Sequence, residues 1–436
     1  MTSGTTPPLL ASLSACADAL AEAQPALARR RLARRDVALA NGLPGTRLER
    51  WKYTNLRALG SRSFAAPDAG TLPEIDPLAL ADIPTPRLVI ANGRYAAAHS
   101  NLDGLPEGLR VRLFSEVLRD APDEAAAWLD DAADRPDEAL QQWNGALATE
   151  GFVLEVDAGV QVARPLHLVV VGVEDGAERA FHLRHRIVVG ERAALSVVKH
   201  HVGLGAHRHL LNTVLDVHLA ADASLHQARV QRESIGATLV QRTQATLAAR
   251  ARYRRVDLEL GAALSRHELN VSLDGDGAVL EANGVLMADG RRHVDTRLGI
   301  VHRGRDTRCD LVWRGFGADR GRAVFHGGIL IAKGADGTAA SLSNKNLLVS
   351  DSAEIDTQPV LIINADDVQA AHGATVGRLD EQALFYLRTR GLPRAEATSL
   401  LTAAFLREPL ALLGDDALRE PLEALLEARM TQEGVE

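Results

Sequence analysis

Cysteine is nearly absent from this chain of 436 residues, with only Cys16 and Cys309 present. Two isolated thiols exclude a disulfide framework or a Cys-rich metal motif and fit a reducing, cytoplasmic compartment. Aromatic residues make up 4% of the chain, too few to line a polysaccharide groove with stacking platforms. No run of eighteen uncharged apolar residues occurs, so the sequence predicts no transmembrane helix. Nor does a basic stretch feed an apolar one after Met1-Thr2-Ser3-Gly4-Thr5, so no secretory leader is expected. A basic excess is missing too: the formal net charge is -8, which argues against general nucleic-acid binding. The sequence also lacks a phosphate loop, a His-Glu-x-x-His pair, a Gly-x-Ser-x-Gly elbow and a dinucleotide fingerprint. The common soluble enzyme classes lose their usual signatures with them.

What is present divides into three zones, as expected of a chain longer than one hydrophobic core usually serves. From about residue 9 to 40, Leu13, Ala17, Leu20 and Leu27 recur at near-helical spacing, and Pro25 ends or kinks the first helix. Arg29, Arg30, Arg31, Arg34 and Arg35 on that stretch read as a solvated helix face. Residues 86–93 read as a short strand closing in an Asn92-Gly93 turn. Helical spacing returns over 110–149, with starts at Pro122 and Pro136.

From about 150 to 372 the period drops to two. Leu215, Val217 and Leu219 alternate with Asp216 and His218, and Val256, Leu258 and Leu260 with Asp257 and Glu259. Leu269, Val271 and Leu273, then Val294, Thr296, Leu298 and Ile300, repeat the pattern. Such alternation sends one set inward and the other to solvent. Turns rich in Gly, Asp and Asn separate these runs and no helical pattern interrupts them. That leaves a sandwich or barrel and a β-solenoid. The great length favours the solenoid, and the lack of a fixed-period motif counts against it. His200, His207 and His209 within this zone read as surface or core histidines. Cys309, at period two with Leu311 and Trp313, reads as a buried, inert thiol.

Beyond about 378 the pattern is helical. Gly391 followed by Leu392-Pro393 marks one helix stopping and another starting. Leu400, Leu401, Ala404 and Phe405 form one apolar stripe, and Leu418, Leu422, Leu425, Leu426 and Met430 another.

The most specific strings lie between 344 and 391. Asp366-Asp367-Val368 precedes His372-Gly373-Ala374-Thr375-Val376-Gly377, and Phe385-Tyr386-Leu387-Arg388-Thr389-Arg390-Gly391 follows. Trp51-Lys52-Tyr53-Thr54, Asn92-Gly93-Arg94, Val294-Asp295 with His302, and Arg322-Ala323-Val324-Phe325 add support along the chain. Together these resemble the SufB/SufD family of iron–sulfur cluster assembly proteins, on its SufD side.

The resemblance implies a mainly β protein with a right-handed parallel β-helix core between helical ends. Residues 1–150 would be a mainly helical N-terminal region, 151–376 the β-helix, and 377–436 a C-terminal helical domain. It also implies a non-enzymatic scaffold. The β-helix would pair with a SufB-type partner, and the C-terminal helices would dock a SufC-type ABC ATPase. An unpaired edge favours a homodimer when the chain is isolated. No cofactor is expected to stay bound; iron or an iron–sulfur cluster would pass through transiently. His372 matches the family's histidine at the partner interface, an iron or cluster ligand. Many relatives carry Cys two residues earlier, where this chain has Ala370, so any ligand role rests on His372. Asp366 and Asp367 read either as acceptors orienting His372 or, more simply, as a polar turn. Trp51 and Tyr53 read as core anchors. Two alternatives are a paralogous SufB-type scaffold, for which cysteine is scarce, and a carbohydrate-active β-solenoid enzyme.

Overall fold

The computed structural model describes residues 6–432 except 69, 71, 130–133, 412, 414 and 415. The first five residues, on which the reading of no leader rests, lie outside it.

Three helices open the chain: α1 (Pro8–Ala23), α2 (Pro25–Asn41) and the single turn α3 (Arg57–Gly60). Pro25 starts α2, as its missing N–H requires. The arginine face is only partly solvated. Arg31 is fully buried, and its guanidinium donates to the carbonyls of Ala146 and Ala148 at 2.9 Å.

Next come β1 (Arg87–Ala91), β2 (Arg94–Tyr95) and β3 (Leu109–Leu113), then α4 (Phe114–Asp120), α5 (Pro122–Leu129) and α6 (Ala139–Leu147). Asn92 and Gly93 take φ of 44° and 79°, the paired left-handed turn that a two-residue hairpin needs. The strand β3 interrupts the stretch expected to be helical. Its Leu109–Leu113 pairing with the next strand supplies the reason.

The solenoid follows. Its strands are β4 (Phe152–Val156), β5 (Leu166–Val173), β6 (Ala180–Val189), β7 (Ala194–Leu204) and β8 (Leu210–Leu219). They continue as β9 (Ser224–Arg232), β10 (Thr238–Leu247), β11 (Arg252–Glu259), β12 (Leu264–Leu273) and β13 (Val279–Ala288). The last six are β14 (His293–His302), β15 (Arg308–Gly317), β16 (Arg322–Ile331), β17 (Thr338–Leu348), β18 (Glu354–Ile363) and β19 (Val368–Gly377). From β4 onward, odd strands stack in one sheet and even strands in the other, every pair parallel, giving about eight turns. β1 and β2 extend the odd sheet, and β3 extends the even one.

Why no repeat shows in the sequence is now plain. Arg254 and its partner Glu281 are 27 residues apart, while Asp310 and Ser341 are 31 apart. Ala262, Gly290 and Asp319 are left-handed where odd strands lead into even ones; on the other side every turn has a left-handed corner whose N–H donates to the residue preceding the next such corner. Arg192, Asp222, Arg250, Gly277, Asp306 and Gly337 fill it in succession. The backbone requirement repeats, but the residue meeting it does not.

The lumen holds Leu195, Leu225, Leu215, Leu269, Leu280 and Leu311, all buried. Gly284 leaves room there for Trp313, whose ring would lie 2.2 Å from an added Cβ. The apolar set of β8, β12 and β14 faces the lumen as expected, although Asp216, Ser272 and Asp295 of the opposite set are buried rather than solvated, and in β11 the arrangement inverts. Val256 and Leu258 face outward into a second apolar layer, while Asp257 and Glu259 are fully buried in the lumen. The covering layer consists of α8 (Arg394–Ala411) and α9 (Asp416–Gln432), reached through α7 (Glu381–Thr389). Burial of Leu418, Leu422, Leu426 and Met430 on this face stabilises α9 by about 1.5–3 kcal/mol per side chain. On α8 the buried side differs from the expected stripe: Leu406 and Leu410 pack inward, whereas Leu400 is exposed. Arg314 clamps α8 by two hydrogen bonds to Glu408 (2.7 and 2.6 Å), and Arg429 ties α9 to Asp289 at 2.7 Å. Among the described residues no helix is long and apolar enough to cross a membrane.

Candidate functional site at the open end of the solenoid

The last turn, made of β18 and β19, differs from all the others. Each strand is paired on one side only, as the outermost member of its sheet. Every earlier solenoid strand carries buried residues; β18 and β19 carry none. Ile362, Ile363 and Val376 are exposed at 50%, 44% and 44%. A row of unpaired backbone groups beside exposed apolar side chains is a surface built for another strand or a covering element.

His372 sits in the middle of this turn. Its register partner is Leu342, a lumen residue, so His372 lies on the inward face of β19 at the open end of the lumen. By the same alternation, Val368, Ala370, Ala374 and Val376 of β19 share that face, as do Ile355, Thr357, Pro359, Leu361 and Ile363 of β18. His372 is the one ionisable side chain among them. Beneath the mouth, the lumen is floored by amides. Thr357 Oγ1 donates to Asn344 Oδ1 at 2.7 Å, and Asn346 Nδ2 donates to the same oxygen at 2.6 Å and to the Thr375 carbonyl at 2.9 Å. Asn344 is completely buried, so this floor is fixed by its own hydrogen bonds. No local pattern marks these residues, because only the coiling of the chain sets Thr357 of one sheet against Asn344 of the other.

Asp366 and Asp367 do not reach His372. They lie in the turn before β19, and five to six extended residues place them roughly 17–20 Å away along the strand. They are a polar turn, in which the Asp367 carbonyl accepts from Gly337 N–H at 2.7 Å. Among the described residues no group of three or more His, Cys, Asp or Glu side chains is placed to hold a metal ion. The mouth therefore presents one imidazole and no chelating set of its own among the described residues.

The remaining candidates are internal. Cys309 is fully buried, and burial pushes its thiol up to about 12, so it is inert at neutral pH. His200 lies 3.0 Å from His167, and His207 and His209 stack at 4.6 Å, all in the interior. Trp51 is fully buried, donates to the Asp137 carbonyl at 3.0 Å and carries the Arg266 guanidinium 3.9 Å above its ring. Tyr53 is only half-buried. At the C-terminal end, Phe385 and Tyr386 of α7 are 67% and 57% exposed, and Leu400 of α8 is 51% exposed. These are further exposed apolar side chains, on the helices rather than the strands.

Comparison with known families gives matches over most of the chain. Residues 172–405 match the model described as "SUF system FeS cluster assembly, SufBD core domain", and residues 16–168 match "SufBD protein N-terminal region". The iron–sulfur cluster assembly protein SufD of Escherichia coli is 31% identical over 90% of both chains. An iron–sulfur cluster assembly SufBD family protein of Synechocystis is 29% identical, over 84% of this chain and 83% of that one. SufD of Bacillus subtilis is 26% identical, over 73% of this chain and 74% of its own length.

Proposed function

This chain belongs to the SufBD family of iron–sulfur cluster assembly proteins, and from that premise we propose that it is a SufD-type scaffold subunit rather than an enzyme. In this reading residues 151–376 form the pairing body, and residues 377–436 form the handle for an ATPase. The place of work is the cytoplasm.

One observation carries the proposal: the terminal turn is open, unburied on both strands, and centred on one imidazole. A SufB-type solenoid meeting it end to end would satisfy the edges of β18 and β19 and cover Ile362, Ile363 and Val376. Iron or a nascent cluster is then the cargo. Neutral imidazole donates one nitrogen, and the partner's donors supply the others. Ala370, two residues before His372 on the same face, offers no donor.

The exposed Phe385, Tyr386 and Leu400 favour docking of a SufC-type ATPase on α7 and α8. The Arg314–Glu408 clamp joins α8 to β15, and the Arg429–Asp289 clamp joins the neighbouring α9 to the end of β13. Closure of two docked ATPase subunits would act on the solenoid through these clamps and open the interface around His372.

Co-expression with SufB-type and SufC-type partners, followed by mass measurement, tests the assembly. A complex holding one copy of this chain, one SufB-type chain and the ATPase is expected; a homodimer that ignores both partners would sink the reading. His372→Ala should leave that assembly intact, because the strand edges and the apolar side chains of β18 and β19 would hold the partner and alanine adds no charge or bulk, while cluster supply in cells falls several-fold. Unchanged cluster supply would remove the ligand role.

A further inference from the structure

Away from the terminal turn, the outer face of β6, β8 and β10 is not closed by the helices above it. Between that face and α5 and α6 lies a cavity of about 390 Å³ lined by Trp128, Gln141, Arg184, Arg186, Asp216 and Arg242 among others. We propose that this cavity is a binding site for a small polyanion of the pyrophosphate class.

The parallel register creates the cluster. Arg184 of β6 and Arg242 of β10 flank Val214 of β8, and one step along, Arg186 and Gln244 flank Asp216. Strands spaced about 4.8 Å apart put the two flanking guanidinium stems roughly 10 Å apart across the cavity floor. Arg186 comes in from the side, held over the Trp128 ring at 5.0 Å. Three guanidinium groups thus border one space whose own carboxylate is Asp216, 2.8 Å from Arg184 Nη2. Arg242 reaches Glu138 at 3.2 Å, but Glu138 is divided among Arg50, Arg135 and Arg242. Positive charge exceeds negative at this spot in a chain whose net charge is -8.

Two further features point to a ligand. Gln141 is 4% exposed, lines the cavity, and its Oε1 has no hydrogen-bond partner. Buried amide atoms normally do not stay unsatisfied, and this oxygen, which can only accept, suits the one P–OH that pyrophosphate retains near neutral pH, while the arginines take the ionised oxygens. Gln244, Thr246 and His218 add polar groups at the open side. Planar guanidinium forks suit the acceptor-rich oxygens of linked phosphates, and the cavity has the size of a small-metabolite site. The site owes nothing to the assembly reading above and stands or falls separately.

Calorimetric titration of the purified full chain with inorganic pyrophosphate, then tripolyphosphate, in about 0.15 M salt tests it, since loose surface attraction is screened there. Saturable binding at one site per chain is expected. Arg186→Gln should weaken it at least tenfold, and Gln244→Glu, which places a repelling charge in the lining, at least as much. Arg208→Gln, at an arginine 60% exposed elsewhere, should change it less than twofold. Thermal melts confirm that each variant is folded, and the two lining variants back each other. Absence of saturable binding by the native chain at millimolar ligand, or equal binding by all variants, overturns the proposal.

Discussion

At the scale of single residues, the lumen is where this chain departs from an ordinary apolar core. Arg229, Arg255, Asp257 and Glu259 are all within 1% of complete burial. Arg255 grips Asp257 through two hydrogen bonds of 2.8 and 2.9 Å, and Arg229 Nε donates to the same carboxylate at 3.1 Å. Arg229 also pairs with Glu259, whose other oxygen accepts from Ser265 Oγ at 2.8 Å. Two cations and two anions so arranged tolerate desolvation together, but removal of one leaves a buried charge uncompensated. Asp257→Asn should therefore cost about 3 kcal/mol or more of unfolding free energy, read from urea melts. Asp310→Asn breaks the exposed pair with Arg308 and should cost less than about 1 kcal/mol. Equal losses for the two variants would mean that the lumen charges are hydrated and not a closed network. Lys199 joins this group. Burial, and then Arg229 and Arg255, drive its ammonium well below the ordinary lysine range, so it is a poor cation in a place already rich in them.

At the scale of elements, what the sequence revealed and concealed has physical causes. Helix starts at Pro25, Pro122 and near Pro136, the Asn92-Gly93 hairpin and the break at Gly391 were legible because local backbone chemistry decides them. Strand identity was legible from period two. Strand facing in β11 was not: Val256 and Leu258 are buried under α9 while Asp257 and Glu259 are buried by one another, and alternation cannot separate two buried faces. Of the functional end, His372 stood out through family resemblance alone. Its position over the lumen follows only from pairing with Leu342, one full turn earlier in the chain and invisible to local pattern. The edge strands carry a prediction of their own. Ile362 is half-exposed on the outer face of β18, and Val376 is exposed at the lumen mouth on β19. Charges on such an edge block strand addition. The double variant Ile362→Lys/Val376→Lys should keep the melting temperature within a few degrees, because neither side chain is buried, and should shift the complex to free subunits on size-exclusion chromatography. Undiminished pairing would locate the partner surface elsewhere.

At the scale of the whole molecule, the histidines set an acid limit. Burial holds His182 and His200 down to about 3, and His167, His293, His302 and His326 down to about 4, with smaller pushes from nearby arginines at several of them. An unfolded histidine titrates near 6.5. Above that pH both states carry neutral rings and no stability depends on them. Below it the unfolded chain takes up protons that the folded chain refuses, so stability falls as pH drops from about 6.5 toward 4. Each unit of difference is worth about 1.4 kcal/mol per group, and six groups act in the same direction. Glu268 works in another window: burial alone would raise it, but Arg266, Arg50 and Arg242 hold it at about 2. Its contribution is retained down to about pH 4.5 and disappears only below that. The melting temperature should accordingly be level between pH 8 and 7, drop steadily from pH 6.5 to 4.5, and do so with little dependence on salt, because the groups are buried. His200→Leu should flatten the drop, since a leucine binds no proton in either state. A melting temperature unchanged between pH 7 and 5 would show that the interior rings already accept protons in the folded protein.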